Sequence, residues 1–430
     1  MEKLIERELF LKLISWINQK EIFIIIGPRQ AGKTTLFLML KDFLIKKKKV
    51  NPASVFYFSF EDPEIRFQFN QNPREFIESR IKNLKGKKWM FLDEYHWIEE
   101  GGQKLKFIYD FYPQIKLFVT GSSSLELTFK TAQYLVGRCF YFYLYPLSFF
   151  EFLRYKNKEI FNSYQERQEN LWKFIQGKKK TIDLTPSIYE NNLSKVFEEY
   201  VVFGGYPEVV KKREKELKKI TLGAIITTYL EREIRSLLLI EDLASYRKFL
   251  QILSTQIGQI INCQQLSSDS GLYFKLLKKY LNILEETFVI KSIQPFFENL
   301  SSELRKNPKI YFMDFGLRNS LIDEFGILSF RVDKGALVEN FVFSELLKKE
   351  EKINFWRTKA KAEVDFVLKK EFPFPLEVKF QKIKKFNLSK SFLSFLGAYR
   401  PQKALVLTNQ SWGKIKYRQT QVFFVPVWYI

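Results

Sequence analysis

Apolar and polar positions change their period several times along the chain, and each change marks an element. Leu4, Phe10, Leu11, Leu13 and Ile14 form an amphipathic opening. Ile22-Phe23-Ile24-Ile25-Ile26 is then apolar at every position, the pattern of a short parallel strand covered on both faces. Leu36, Phe37, Leu40, Phe43 and Leu44 follow at helical spacing. Ser54–Phe60, Lys88–Glu94 and Lys116–Thr120 read as further strands. The expected fold class is α/β, with a parallel sheet in residues 1–150.

The middle of the chain reads as helical. Leu193, Val196, Phe197, Tyr200 and Val201 share one helix face, and Gly204-Gly205 ends it. A second long helix is expected from about Lys211 to Leu238, the two together making a helical segment over 151–240. The lysine-rich stretch from Arg154 to Pro186 shows no clear period. Beyond Asp242 the apolar positions suggest three short helices, the third carrying Tyr273, Phe274, Leu276, Leu277, Tyr280, Leu281 and Leu284. A strand, Phe288–Ile293, follows. Three helices and then a strand pair outline a winged helix over 241–325, whose third helix would offer Lys275, Lys278 and Lys279 to DNA. Many such segments bind protein instead, or only pack. From 326 to 430 the pattern is a helix at Val338–Leu347 and strands at Ile353–Thr358, Ala362–Leu368 and Pro375–Lys379.

Composition narrows the class. The 430 residues are 46% hydrophobic and 27% charged, which describes a globular chain and excludes a largely disordered one. Every apolar run falls short of the ~20 residues a membrane-spanning helix needs. The start, Met1-Glu2-Lys3-Leu4-Ile5-Glu6-Arg7, has no secretory apolar stretch. A cytoplasmic protein without a membrane partner is expected. Cys139 and Cys263 lie too far apart for a local metal or redox motif, and a single histidine excludes a histidine-built metal centre. Seventy Lys and Arg against 48 Asp and Glu leave a net charge of +22, which favours polyanionic partners, nucleic acid first. The abundance of Lys, Ile, Phe and Asn everywhere also fits a genome-wide bias. Lys46–Lys49 and Lys178–Lys180 read as solvated ends of elements.

Two motifs carry chemistry in the first third. Gly27-Pro28-Arg29-Gln30-Ala31-Gly32-Lys33-Thr34, with Thr35 after it, stands between the first strand and the first helix of the sheet. Glycines at these positions let backbone N–H groups curl around phosphates, and the helix N-terminus adds a positive dipole. Lys33 can reach the β- and γ-phosphates, and Thr34 can ligate Mg²⁺. The strand Lys88-Trp89-Met90-Phe91-Leu92 ends in Asp93-Glu94. Asp93 is expected in the Mg²⁺ shell, and Glu94 is expected to polarise the attacking water. The plainer alternative is an acidic strand end facing solvent. ATP and Mg²⁺ are the expected ligands. Ser122, after the strand Lys116–Thr120, could sense the γ-phosphate or cap a helix.

These motifs, with Thr120-Gly121-Ser122-Ser123, Gly137-Arg138, Leu144–Phe152 and Gly204–Glu208, resemble one family over almost the whole chain. It is the prokaryotic AAA-type ATP-binding proteins that carry the C-terminal domain of unknown function 4143. The resemblance implies a P-loop ATPase of the division in which an extra strand separates the phosphate-loop strand from the acidic one. It implies that the helices of 151–240 form a lid. It also makes Arg138 a candidate for stabilising transition-state charge, from its own subunit or from a neighbour in a homo-oligomer. The alternative for Arg138 is a surface arginine or a carboxylate partner.

The last hundred residues resemble a PD-(D/E)XK nuclease core: helix, strands, an acid, then Glu-x-Lys. Alternation puts Glu377 and Lys379 on one strand face. If residues 369 to 375 form a hairpin loop, Asp365 lies level with them. Asp365 and Glu377 could then share a Mg²⁺, Lys379 could position water, and Glu339 would orient the centre from its helix. A degenerate nuclease fold used for binding or dimerisation is the competing expectation. Three functions are therefore open: an ATPase whose turnover rearranges a DNA-binding or nuclease-like C-terminal region, an ATP-dependent nuclease, and a nucleotide-gated protein-interaction switch.

Overall fold

The computed structural model describes residues 4–121, 133–228, 242–296 and 307–430. The chain divides into two compact units: residues 1–146 with the short segment 286–288, and residues 147–285 with 289–430.

The first unit is built on a five-stranded sheet. Its strands are β1 (Ile22–Ile26), β2 (Val55–Ser59), β3 (Lys88–Asp93), β4 (Ile115–Gly121) and β5 (Cys139–Tyr143). They run parallel in the order β2-β3-β4-β1-β5. The strand that separates β1 from β3 in space is therefore β4, not β2, which separates them in sequence. Every residue of β1 is buried, as its unbroken apolar run requires. β5 sits at the sheet edge with most of its side chains half-buried, so its sequence lacks the signal that marks β1. Helices Lys33–Asp42, Pro63–Gln71, Pro73–Ile81 and Gly101–Phe111 make the crossovers. Two of them begin with Pro at the first position behind a side-chain cap. Asp62 accepts from the Glu64 and Ile65 N–H groups, and Asn72 accepts from that of Glu75. In the core Phe37 meets Phe91 edge-on and Phe91 stacks on Phe118, with ring centroids 5.1 and 4.6 Å apart. Burial of each such ring stabilises the fold by about 1.5–3 kcal/mol.

The second unit holds a six-stranded mixed sheet and a two-stranded antiparallel pair. The pair is β6 (Ile290–Ile293) and β7 (Lys309–Phe312). The sheet contains β8 (Ile353–Arg357), β9 (Glu363–Leu368), β10 (Phe374–Lys379), β11 (Lys403–Thr408), β12 (Gly413–Tyr417) and β13 (Thr420–Pro426). Their order is β12-β13-β11-β10-β9-β8. Helices Leu243–Thr255, Cys263–Ser270 and Phe274–Glu286 precede the pair. Lys275, Lys278 and Lys279 are exposed on the third.

Three segments differ from the pattern-based expectation. The first division between units falls at 146/147, and apart from 286–288 the segments 151–240, 241–325 and 326–430 share the second unit. The helices expected as a lid pack within it. Glu345 of helix Lys334–Lys348 accepts from the Phe149 N–H and the Tyr200 hydroxyl, and the Phe174 and Phe423 rings meet at 4.8 Å. The expected helix over 211–238 is interrupted. Pro207–Lys211 and Lys215–Ile225 are separate helices, because Lys212 turns extended, and residues 229–241 lie outside the described residues. The patternless lysine-rich stretch contains an 18-residue helix, Lys158–Ile175. Asn157 caps it, Tyr164 bonds to the Trp428 carbonyl, and Trp172 bonds to that of Ile430.

Candidate functional site

In a parallel sheet, ligands bind beyond the carboxyl ends of the strands, where the direction of winding reverses. β1 lies at such a point, between β4 and β5. Its carboxyl end leads into the glycine-rich loop. A Cβ on Gly27 would stand 2.1 Å from the Leu144 carbonyl oxygen, so the crossing backbone admits only glycine there. Gln30 (φ +59°) and Gly32 (φ +95°) take left-handed conformations that curl the loop onto helix Lys33–Asp42. Arg7 braces the loop from behind. It is buried and donates to the Ala31 carbonyl at 2.7 Å and the Tyr145 carbonyl at 2.6 Å.

Lys33 is buried and its Nζ donates to the Gly27 and Pro28 carbonyls, each at 3.0 Å. Thr34 Oγ1 donates to Asp93 Oδ2 at 2.7 Å. Asp93, at the end of β3, is a hub: the Tyr57 hydroxyl from β2 donates to the same oxygen at 2.7 Å, and the Thr120 hydroxyl from β4 donates to Oδ1. Thr120 Oγ1 in turn accepts from the Glu94 N–H at 3.1 Å. Thr34 and Asp93 present hard oxygen donors, the set Mg²⁺ takes alongside phosphates. Burial of the phenol, then the bond to Asp93, pushes the Tyr57 pKa well above its ordinary value, so Tyr57 remains a donor.

Glu94 leaves the strand end with a left-handed backbone (φ +53°). Burial raises its pKa, against the opposing pull of Lys33 and Arg29, and Asp93 adds to the rise. A raised carboxylate pKa makes a better proton acceptor near neutrality. His96 Nδ1 lies 3.2 Å from Glu94 Oε2. Burial, with Arg29 and Lys33, lowers the His96 pKa to about 4, so its ring is neutral at pH 7.

The second unit brings together another set of charged groups. Register between β9 and β10 pairs Leu376 with Phe366, and one further step places Asp365 beside Glu377. The connecting turn spans 369–373, and Pro375 belongs to β10. Asp365 Oδ2 accepts from the Val378 N–H at 2.7 Å. Burial, then the nearby Glu339, raises the Asp365 pKa far above the usual carboxylate range. Lys379 Nζ stands 3.6 Å from Glu377 Oε1. Lys309, from β7, reaches Glu363 Oε1 at 2.6 Å and Glu339 Oε1 at 3.1 Å, and Tyr311 donates to the same Glu339 oxygen at 2.6 Å. Burial works against the Lys309 charge, but Glu339, Glu363 and Asp365 together outweigh it and raise its pKa.

Comparison with known proteins decides the class of the first unit, since an AAA-domain profile matches residues 19–153. The chain carries an AAA domain. Its C-terminal part, residues 334–430, matches a domain of unknown function (DUF4143), and residues 194–327 match another (DUF8612). Among similar chains, an uncharacterized protein of Haemophilus influenzae is 25% identical over 374 residues, covering 85% of this chain and 84% of its own. One from Methanocaldococcus jannaschii is 24% identical over 374 residues, covering 85% and 75%. Solved structures that align include Cdc6p from Pyrobaculum aerophilum, at 12% identity and TM-score 0.29, covering 79% of this chain and 95% of that one. AMPPCP-bound DnaA from Aquifex aeolicus aligns at 12% identity and TM-score 0.25, covering 65% and 86%.

Within the AAA domain, Gly27–Thr35, Asp93 and Glu94 stand together at one end of the sheet. Arg138 does not join them. It directly precedes β5, whose Cys139 pairs with Ile22 at the amino end of β1, so about 15 Å of strand separates it from the loop. Its guanidinium pairs with Asp110, Nε to Oδ1 at 2.9 Å. The carboxylate-partner alternative is the one the geometry contains, and a catalytic Arg138 acting within its own chain is corrected. Ser122 lies outside the described residues. On β4 the Thr120 hydroxyl reaches both Asp93 and the Glu94 N–H. Sequence reasoning also missed Arg7, Tyr57 and His96. Only His96 carried a signal, as the single histidine three positions past Asp93.

In the DUF4143 part, Glu339, Asp365 and Glu377 approach one another, and Lys379 accompanies Glu377. Asp365 and Glu377, expected to share a metal, lie side by side in the β9–β10 register, and Lys309, a residue the sequence reading left out, pairs with the nearby Glu339 and Glu363. Among the described residues no group of three His, Cys, Asp or Glu side chains is placed to hold a metal ion. No helix among them is long and apolar enough to cross a membrane.

Proposed function

We propose that the AAA domain binds Mg²⁺·ATP at Gly27–Thr35 and hydrolyses it. The observation that carries this reading is the meeting of Thr34 with Asp93 beside buried Lys33 and Glu94. On triphosphate binding, the Lys33 ammonium would exchange the Gly27 and Pro28 carbonyls for phosphate oxygens. Thr34 and Asp93 would hold the Mg²⁺, which neutralises phosphate charge when bound. Tyr57 and Thr120 fix the Asp93 carboxylate. Glu94 accepts a proton from water as the water oxygen bonds to the γ-phosphorus. The bond from that phosphorus to the bridging oxygen breaks, and ADP leaves with the oxygen. His96 Nδ1 stands beside Glu94 Oε2 at 3.2 Å without a hydrogen bond to it.

Glu94→Gln keeps the shape of the side chain and removes the proton acceptor. ATP binding should persist while kcat falls by about 10²–10⁴-fold. Wild-type turnover in Glu94→Gln would remove Glu94 from the role.

The same reading couples turnover to the second unit as a DNA-contacting region of winged-helix outline, favoured by exposed Lys275, Lys278 and Lys279 on the third helix. If Arg138 contributes to turnover, it does so from a neighbouring copy in a homo-oligomer.

A further inference from the structure

Carboxylates of the DUF4143 part hold a cation of the chain's own. Glu339 comes from helix Lys334–Lys348, Glu363 and Asp365 from β9, and Glu377 from β10. Lys309 enters among them from β7, which lies outside the DUF4143 match. Its side chain is only 2% exposed, and its Nζ is shared between Glu339 and Glu363. Tyr311, two residues on and so on the same face of β7, donates to the Glu339 oxygen that Lys309 already holds. One short strand thus supplies both a charge and a hydroxyl to the same carboxylate. Asp365 Oδ2 is taken by the Val378 N–H. Glu377, 9% exposed, keeps one buried oxygen, Oε2, with no hydrogen-bond partner among the described residues.

A divalent ion here needs several of these oxygens at once, at about 2.0–2.1 Å for Mg²⁺. It would also meet the Lys309 charge at short range in a site shielded from water, where like charges repel strongly. A cavity of about 390 Å³ reaches Lys309 and Glu363 at the edge of this group, lined also by Gly258, Gln259, Ile260 and Arg357, whose guanidinium pairs with Glu363 at 3.1 Å. Gly258 (φ +71°) lets the backbone run close to Glu339, since a Cβ there would stand 3.2 Å from its Oε1.

We propose that Lys309 is the resident cation of this centre, and that the centre binds Mg²⁺ or Mn²⁺ only when the Lys309 ammonium is removed. The nuclease-like part is then closed to metal by a residue of the strand pair that precedes it. This inference does not rest on the ATP site.

The test is Mn²⁺ titration of the nucleotide-free, full-length protein, with free Mn²⁺ followed by electron paramagnetic resonance. Wild-type protein should show no Mn²⁺ site that Glu377→Gln removes. Lys309→Met should gain one site, roughly tenfold or more tighter than any on the wild type, and the double variant with Glu377→Gln should lose it. Lys309→Gln, which keeps a donor to Glu339, serves where Lys309→Met does not fold. A wild-type site abolished by Glu377→Gln overturns the proposal. So does a folded Lys309 variant that gains no Glu377-dependent site.

Discussion

Asp93 and Glu94 are neighbours with different surroundings, and those surroundings set different tasks. Asp93 receives three hydroxyls, from Thr34, Tyr57 and Thr120, which hold its carboxylate still. Glu94 is half-buried with fewer donors, and its pKa rises. His96, beside it, has its pKa lowered to about 4, chiefly by burial. An unfolded histidine takes its proton near pH 6.5, so between about pH 6.5 and 4 the unfolded chain binds the proton that the folded chain refuses. The neutral ring therefore contributes no loss above pH 6.5, and stability falls as the pH drops through that window. The loss is on the order of 3 kcal/mol once pH 4 is reached. Glu94 titrates in the opposite sense, so the comparison of variants is the cleaner reading. His96→Gln should flatten the acid side of the stability profile, measured by urea unfolding at a series of pH values. An unchanged slope between pH 6.5 and 4 would show that the ring is not held neutral.

At the scale of elements, β1, the loop after it and the acidic end of β3 were legible because their signals are local. An unbroken β-branched run, a fixed glycine spacing and a carboxylate pair each lie within a few residues. The spatial order of the sheet was not legible, since β4 enters between β1 and β3 by a pairing that no short window contains. β5 was hidden by its half-exposed edge, and helix Lys158–Ile175 by a stripe in which buried Gln168 interrupts the apolar positions. The alternation of Glu377 and Lys379 could be read, and so could the level of Asp365 with them. Lys309 could not, because it arrives from a strand more than fifty positions earlier and looks like any other lysine in a chain with 70 Lys and Arg. Arg138 misled for a related reason. Its place after β4 in sequence says nothing about which end of the sheet it occupies, and the register with β1 puts it at the wrong one.

For the whole molecule, the proposal to be tested is a nucleic-acid partner for the second unit. A net charge of +22 raises affinity for any polyanion, so binding alone discriminates little. The salt dependence is more informative, because each neutralised phosphate releases counterions. Replacing Lys275, Lys278 and Lys279 together with Ala should reduce the slope of log K against log salt by about 2–3 for duplex DNA. A slope that does not change would move the contact elsewhere, and a wild-type affinity insensitive to salt would remove DNA from the account. The central claim concerns the triphosphate. It is tested most directly by calorimetric titration of Mg²⁺·ATP into wild-type and Lys33→Ala protein. The account predicts one site per chain in the wild type and an affinity lower by roughly a hundredfold or more in Lys33→Ala. Equal affinity in the two proteins, or no binding by the wild type, would contradict it.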